Sequence, residues 1–381
     1  MKKYTYAIIV LALVQFIIIT EMSVVMPLAP KIAEFYNINP NRVTFLNIGY
    51  AVMGLLAPFL GFSADKIGIK KILMITVGIF TLGAFLTANS NTAVQFFLSR
   101  SLIGLGYFTL ISLLIAYSSK LVPYEKLGFV SGIYKLSFAI AVFSSPIIGN
   151  IFVAKYSISE LYTSIGIAMM IVLLMLIPLP KVESTDSIDF TTLKGLLKNK
   201  TAKTLMLVTF LCAVPSIYFY NYLSLFLNGN GYSQEFITLI YSIAAVGTTI
   251  AAIMIIFLSD RIGKLRMILY GFFISAVVVI PIFINVPLII IVFMLLFGIS
   301  FDILWGLLFP ISSKLFKREA NTFLTLLGMC MALANTFSNI TAPFVNGWGG
   351  FLANVTVSSI SILVAGLLLI KVTRKHVDEL N

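Results

Sequence analysis

Long apolar runs separated by short polar connections dominate the pattern of this chain. A helix needs about 20 mostly apolar residues to cross a bilayer, and the chain contains twelve runs of about that length. The first run starts directly after Lys2 and Lys3 and is longer than the core of a signal peptide. It therefore predicts a spanning helix. The predicted spans occupy residues 5–29, 44–64, 71–89, 92–119, 127–154, 160–179, 203–227, 235–258, 266–285, 287–313, 321–346 and 350–371.

The composition agrees with a membrane protein. Of the 381 residues 60% are hydrophobic and 10% charged, whereas soluble proteins carry about 25% charged residues. A soluble enzyme, a disordered chain and a secreted disulfide scaffold are therefore excluded. Cys212 and Cys330 lie inside apolar runs, and the one histidine, His376, lies in a polar tail. We expect no disulfide, no metal and no cofactor.

The distribution of basic residues predicts the orientation in the membrane. The chain carries a net charge of +12. Most of its Lys and Arg side chains fall in every second connection, and the intervening connections hold only Lys31, Arg42 and Lys155. Basic connections stay in the cytoplasm, so both termini are predicted to be cytoplasmic, and a nucleic-acid partner is disfavoured. We expect a monomeric, multi-pass protein of a bacterial plasma membrane.

The chain divides into two similar halves. A polar stretch at 181–203 follows the sixth predicted span, which predicts a bundle at 1–180, a cytoplasmic linker at 181–203 and a second bundle at 204–381. The segment around Asp65 and Gly68 recurs around Asp260 and Gly263, each time between the second and third span of its half. Two parallel six-span repeats are one architecture of secondary transporters, with the site where the repeats meet.

The repeated segment also resembles a known family. Gly61-x-x-x-Asp65-Lys66-x-Gly68-x-Lys70-Lys71 is similar to the signature loop of the major facilitator superfamily. The resemblance implies a cluster that latches the cytoplasmic side in the outward-facing state. The alternative is a basic loop that only sets topology. The gating residues implied here are Asp65, Lys66, Gly68, Lys71, Asp260 and Arg261.

Two further motifs resemble the drug/proton antiporter branch of that superfamily. Arg100 and Gly104 in the fourth span match its proton-coupling motif, and Glu21 in the first span stands where this branch has an acid. The alternative for Arg100 is a side chain that extends to the membrane surface. In the fifth span only Pro146 and Gly149 match the antiporter motif, which leaves the direction of transport open.

Ionisable side chains inside spans are candidates for function because their burial in hydrocarbon is costly. The four candidates are Glu21, Arg100, Lys135 and Asp302. A carboxylate that is alternately wet and buried can take up and release a proton, so Glu21, Arg100 and Asp302 are predicted to couple transport to protons. Lys135 and Asp302 are predicted to pair as a gate when the cytoplasmic side closes. The alternatives are surface exposure of Lys135 and a structural ion pair at Asp302.

Polar and aromatic side chains on several spans predict a substrate cavity. Large apolar surfaces with a few polar groups are typical of ligand cavities, although such stripes also form ordinary hydrogen bonds between helices. The predicted cavity residues are Tyr107, Tyr218, Asn221, Tyr222, Trp305, Asn335 and Asn339.

These observations predict an all-α membrane protein with twelve transmembrane helices in two pseudo-symmetric six-helix bundles. The expected function is proton-coupled export, by antiport and alternating access, of amphipathic organic compounds. The alternative is a proton-coupled or uniport transporter of a specific small metabolite, anionic or zwitterionic. The expected partners are a small organic substrate, protons and the lipid bilayer. An enzyme is not expected, and neither an ATP-binding motif nor a channel filter is visible.

Overall fold

The computed structural model describes residues 2–122, 124–182, 190–316 and 320–374. The chain divides into two compact units, Met1–Ser187 and Ile188–Asn381. The described part of the first unit contains a 3-10 segment, Pro40–Asn47, and eight α-helices. These helices are α1 (Lys2–Val25), α2 (Ala29–Phe35), α3 (Ile48–Gly54), α4 (Ala57–Ile67), α5 (Ile69–Ala88), α6 (Ala93–Leu121), α7 (Tyr124–Lys155) and α8 (Ile158–Leu176).

The described part of the second unit is also helical. It contains a 3-10 segment, Ile280–Ile284, which follows the helix Lys264–Val277. Its α-helices are α9 (Phe190–Lys198), α10 (Lys200–Ala213), α11 (Pro215–Tyr218), α12 (Tyr220–Gly229), α13 (Gln234–Ile262), α14 (Lys264–Val277), α15 (Pro287–Leu315) and α16 (Ala320–Thr373). The 54 residues of α16 turn sharply at Gly349 and Gly350, where φ is −133° and +63°.

Ten helical stretches in the described residues are long and apolar enough to cross a membrane. One of them, Thr322–Thr373, has 52 residues and contains two predicted spans, because it turns at Gly349 and Gly350. Large apolar side chains also remain exposed, among them Ile256 at 70% and Phe257 at 69%. Such side chains are stable against lipid rather than water.

The predicted span at 44–64 is not one continuous helix. This segment begins in the 3-10 stretch Pro40–Asn47, continues as α3, and turns at Leu55 and Leu56 before α4. Pro58 occupies the first turn of α4, where its missing N–H costs no helical hydrogen bond. The ten stretches do not include this broken span, and they count the last two predicted spans as one stretch. Twelve spans therefore agree with the ten stretches.

The predicted span 203–227 is likewise interrupted. Val214 precedes Pro215, and α10, α11 and α12 follow one another with breaks at Val214 and Phe219. Tyr241 of α13 stabilises the second break, because its hydroxyl accepts a hydrogen bond from Ser224 N (3.3 Å) and donates one to the Tyr220 carbonyl (2.6 Å). The phenol thus stands between two backbone groups that would bond each other in an unbroken helix.

Glycines set the closest helix contacts of the first unit. A Cβ on Gly104 of α6 would lie 2.3 Å from the Tyr50 carbonyl oxygen of α3, and a Cβ on Gly149 of α7 would lie 2.0 Å from Val24 Cγ2 of α1. Only glycine permits such approach. Through these two contacts α3 packs against α6, and α7 packs against α1. Tyr50 therefore lies beside Gly104, which is one helical turn after Arg100 on α6.

The second unit repeats one of these contacts. A Cβ on Gly298 of α15 would lie 2.1 Å from the Ala244 carbonyl oxygen of α13. The two signature loops also agree, because Gly68 and Gly263 have φ of +101° and +91°. Each glycine ends one helix and begins the next. A left-handed backbone at this point favours glycine, so the internal repeat is present in the backbone.

Candidate functional site

The centre of the first unit holds a buried ion pair. Arg100 Nε of α6 donates to Glu21 Oε1 of α1 at 2.8 Å, and the exposed fractions of the two side chains are 3% and 0%. The sequence predicted both residues as proton-coupling residues but left Arg100 free to extend to the membrane surface. The structure instead shows Arg100 inside the helix bundle, paired with Glu21.

Two further side chains hold this pair in place. Tyr162 of α8 donates its hydroxyl to the same carboxylate oxygen, Glu21 Oε1, at 3.0 Å. On the other side Arg100 Nη1 donates to Asn47 Oδ1, at the end of the 3-10 segment. A buried charge is stable only when it is paired and hydrogen-bonded, and these contacts meet that condition for Arg100 and for one oxygen of Glu21.

Aromatic rings enclose the guanidinium. Arg100 Cζ lies 4.7 Å from the ring centroid of Tyr50 and 6.0 Å from that of Phe96. A desolvated guanidinium over an aromatic face gains about 2 kcal/mol. Phe96 in turn meets the Tyr162 ring edge to face at 5.8 Å. These rings pack around a guanidinium whose side chain is buried.

Two methionine sulphurs support the next layer of this cluster. The Tyr107 hydroxyl donates to Met22 Sδ at 2.8 Å, and Asn47 Nδ2 donates to Met26 Sδ at 3.9 Å. Met22 lies on α1, the helix that carries Glu21, and Met26 directly follows the last residue of that helix, Val25. Tyr107, which the sequence placed in the substrate cavity, is 8% exposed and lies beside Tyr50 with ring centroids 5.6 Å apart.

The second carboxylate oxygen of Glu21 is the exception in this cluster. Among the described residues Glu21 Oε2 is buried without a hydrogen-bond partner, and so is the Tyr50 hydroxyl. An unsatisfied buried acceptor costs about 1–3 kcal/mol, and more when it is charged. Protonation at Oε2 would remove that charge while Oε1 keeps its bonds to Arg100 and Tyr162. Glu21 Oε2 is therefore the atom of this cluster best suited to accept a proton.

Sequence reasoning missed Asn47, Tyr50 and Tyr162. A weak signal existed for two of them, because Thr44, Asn47 and Tyr50 recur at three-residue spacing in an otherwise apolar run. Residues three apart lie near one face of a 3-10 helix, such as the one that ends at Asn47, and also of an α-helix, such as the one that holds Tyr50. Tyr162 gave no such signal, since it lies 141 residues from Glu21 in a span with ordinary apolar neighbours.

In the second unit Asp302 is half-buried on α15. Aromatic side chains form a row along this helix: Phe297 and Phe301 stack at 5.0 Å, and Phe301 and Trp305 meet edge to face at 6.3 Å. Phe309 continues the row, 6.2 Å from Trp305. The predicted cavity residue Trp305 thus belongs to an aromatic row that partly packs on the core of its unit.

The other predicted cavity residues lie on the broken helix and on α16. Tyr218 donates to Thr341 Oγ1 at 2.7 Å, and Asn339 Nδ2 donates to the Asn335 carbonyl at 2.8 Å. Asn221 and Tyr222 are buried at 6% and 1% exposure. The Tyr218 bond joins α11 to α16, whereas the Asn339 bond lies within α16, and the substrate cavity stays a prediction.

One contact of the signature loop was not predicted from the sequence. Lys70 Nζ donates to the carbonyls of Ile177 and Leu179, at 2.6 and 2.5 Å. A lysine at the carbonyl end of a helix stabilises the unsatisfied carbonyls and the negative end of the helix dipole. Lys70 thus fixes the end of α8, immediately before the predicted linker.

The other predicted gating residues give less information. Lys71, Lys135 and Arg261 are exposed. The side chains of Asp65, Lys66 and Asp260 lie outside the described part of the structure, as do residues 183–189 of the predicted linker and His376. Their predicted roles, including the pairing of Lys135 with Asp302, stay predictions.

Comparisons with known proteins agree with this architecture. The family model described as Major Facilitator Superfamily matches residues 11–237, and the model described as MFS_1 like family matches residues 135–349. The crystal structure of a D-xylose-proton symporter superposes with a TM-score of 0.75 over 96% of this chain and 97% of that chain, at 14% identity.

Curated relatives are more distant in sequence. The multidrug resistance protein MdtD of Serratia proteamaculans (strain 568) is 26% identical over 163 residues, which are 42% of this chain and 34% of that protein. The riboflavin transporter RibZ of Clostridioides difficile (strain 630) is 26% identical over 213 residues, or 55% of this chain and 46% of that protein. The matched segments thus span less than half of either relative. From its helices, its repeated loops and the family match over more than half of its length, this chain belongs to the major facilitator superfamily and is a multi-pass membrane transporter.

Proposed function

We propose that this transporter is a proton-coupled exporter that exchanges protons for amphipathic organic compounds by alternating access, with Glu21 as its proton site. The observation that carries the proposal is the buried pair of Glu21 and Arg100, in which one carboxylate oxygen lacks a donor. The similarity to MdtD, whose full name is putative multidrug resistance protein MdtD, supports organic compounds as the substrates.

The charges of the pair explain how a proton would act. With Glu21 ionised the pair is neutral, and the attraction to Arg100 holds α1 and α6 together. Protonation removes that attraction and leaves a buried cation on Arg100, which is costly until water or another partner reaches it. A ligand or proton shifts a conformational equilibrium by its differential energy in the two states. Proton binding at Glu21 therefore favours a conformation in which this site opens.

The proposal predicts that Glu21→Gln abolishes proton-driven transport. The amide is nearly isosteric with a protonated carboxyl and cannot release a proton, so coupling is lost while the packing stays. Proteoliposomes with an imposed pH gradient and an internal pH dye would be tested with ethidium, riboflavin and fluorescein, which are a cationic, a neutral and an anionic probe. We expect at least about a tenfold loss of pH-driven flux, equivalent to about 1.4 kcal/mol.

The matched control is Glu34→Gln, because Glu34 is an exposed carboxylate of the same unit. This variant should retain the flux of the wild type. Full pH-driven flux in Glu21→Gln would contradict the role of Glu21. A wild-type flux that does not depend on the pH gradient would contradict proton coupling altogether.

A second candidate function is transport of a specific metabolite. The similarity to RibZ favours it, because that match covers 55% of this chain against 42% for MdtD. The same flux assay separates the two functions. An exporter of amphipathic compounds should carry several probes against the proton gradient, whereas a metabolite transporter should carry one of them, with or without protons.

A further inference from the structure

Three tyrosines surround the ion pair, and only one hydroxyl is not engaged. The Tyr162 hydroxyl donates to Glu21 Oε1, and the Tyr107 hydroxyl donates to Met22 Sδ. The Tyr50 hydroxyl is buried without a hydrogen-bond partner among the described residues. The same cluster thus contains an acceptor without a donor, Glu21 Oε2, and a donor without an acceptor, Tyr50 Oη.

Glu21 and Tyr50, the side chains that carry these two groups, both contact the guanidinium of Arg100. Arg100 Cζ lies 4.7 Å from the Tyr50 ring centroid, and Arg100 Nε lies 2.8 Å from Glu21 Oε1. The Tyr50 hydroxyl is also within electrostatic range of Glu21, Arg100, Tyr107 and Tyr162, which are the titratable groups that α1, α6 and α8 direct towards it. The backbone of Tyr50 is held at this place by its close contact with Gly104.

We propose that the Tyr50 hydroxyl is the alternate hydrogen-bond donor of Glu21 and binds Oε2 in the conformation in which Arg100 no longer holds the carboxylate. Tyr50 is then a positioning residue for the proton site, and this inference rests on the proposed function. Of the three tyrosines around the pair, Tyr162 and Tyr107 already donate their hydroxyls in the structure, so Tyr50 is the tyrosine whose hydroxyl remains. An alternate donor keeps Glu21 from being buried as an unpaired charge while helices rearrange.

The proposal has a consequence for the proton equilibrium. A hydrogen bond to the ionised form of a carboxyl favours that form. Removal of the Tyr50 hydroxyl should therefore make the proton on Glu21 harder to release. Tyr50→Phe removes only the oxygen and keeps the ring over Arg100, so packing and the cation–π contact are retained.

The test is a titration of Glu21 itself in the full-length protein. Infrared difference spectra against pH show the C=O band of a protonated carboxyl, and the band of Glu21 is the one that Glu21→Gln removes. We expect Tyr50→Phe to move the midpoint of that band to higher pH by about one unit, which is the order of a hydrogen bond to a charged group. The matched control is Tyr117→Phe, which removes another buried hydroxyl of the first unit, one that donates to the Pro180 carbonyl.

The outcomes separate the inference from the function it rests on. An unchanged midpoint in Tyr50→Phe, or an equal shift in Tyr117→Phe, would overturn the role of Tyr50. If Glu21→Gln removes no titrating band, the proton site itself is wrong. Thermal unfolding of each variant checks the fold, and in the Glu21→Gln background Tyr50→Phe should cause no further change in pH-driven flux.

Discussion

At the scale of single residues, the pair of Glu21 and Arg100 is costly to bury and is stable only as a set. Each ion loses several kcal/mol of hydration on burial. Arg100 recovers this through Glu21, Asn47 and the face of Tyr50. Glu21 recovers less, because only Oε1 is bonded. A well-paired arginine beside a carboxylate with one unbonded oxygen is the arrangement expected when that carboxylate must gain and lose a proton.

The pair should therefore show strong energetic coupling between its two members. Arg100→Gln leaves Glu21 buried without its cation, and removing one partner of a buried pair costs about 3–5 kcal/mol. The double variant Glu21→Gln with Arg100→Gln removes both charges and should recover part of that loss. The measurement is thermal unfolding of the purified variants in detergent at neutral pH. Additive losses in the double variant would mean that the two side chains do not stabilise each other.

At the scale of helices, the site depends on how closely α3 can approach α6. Gly104 stands one turn after Arg100 and leaves room for the Tyr50 backbone. The 3-10 segment before α3 and the turn at Leu55 and Leu56 after it bound this short helix on both sides. The Asn47 and Tyr50 side chains consequently meet Arg100 from the same side.

Gly104→Ala should separate these two helices. The new Cβ would lie 2.3 Å from the Tyr50 carbonyl oxygen and 2.6 Å from its Cα, so the backbone of α3 must move. We expect at least about a tenfold loss of pH-driven flux and a lower unfolding temperature. Gly78→Ala is the control, because nothing lies within 4 Å of its Cβ, and alanine favours helix there. Equal behaviour of the two variants would show that the contact is unimportant.

At the scale of the whole molecule, two units with the same helix contacts carry different chemistry. Gly298 contacts Ala244 as Gly104 contacts Tyr50. Four residues before these glycines stand Met294 in the second unit and Arg100 in the first. Met294 is buried at 2% exposure, so the position is equally enclosed but apolar. Of these two corresponding positions, only the one in the first unit therefore carries a charge.

The orientation of the molecule in the membrane is open to a direct test. Lys155 at the end of α7 is predicted to face outward, and Arg266 in the first turn of α14 is predicted to face the cytoplasm. In intact cells a membrane-impermeant maleimide should label Lys155→Cys, whereas Arg266→Cys should react only after permeabilisation. The wild type is the control, since Cys212 and Cys330 are both buried. The reverse pattern would invert the predicted topology.

Part of the site could be predicted from single residues. Glu21 and Arg100 stood out because a charge inside an apolar run needs an explanation, and Gly104 stood out one turn after Arg100. Tyr162 and Asn47 could not stand out in this way, since polar and aromatic residues are common in membrane helices and carry no sign of their partner. In the sequence, Lys70 was only one more basic residue of a loop, although in the structure it binds the carbonyl end of α8.

The sequence by itself determined the helical membrane fold, the repeated signature loops and the family, because hydropathy and short motifs are properties of neighbouring residues. Only the tertiary structure decided that Arg100 binds Glu21, 79 residues away, that one carboxylate oxygen lacks a donor, and that the second predicted span is broken. The reason is that a hydrogen bond depends on atoms within about 3 Å of each other, and residues far apart in the chain reach that distance only through the packing of their helices.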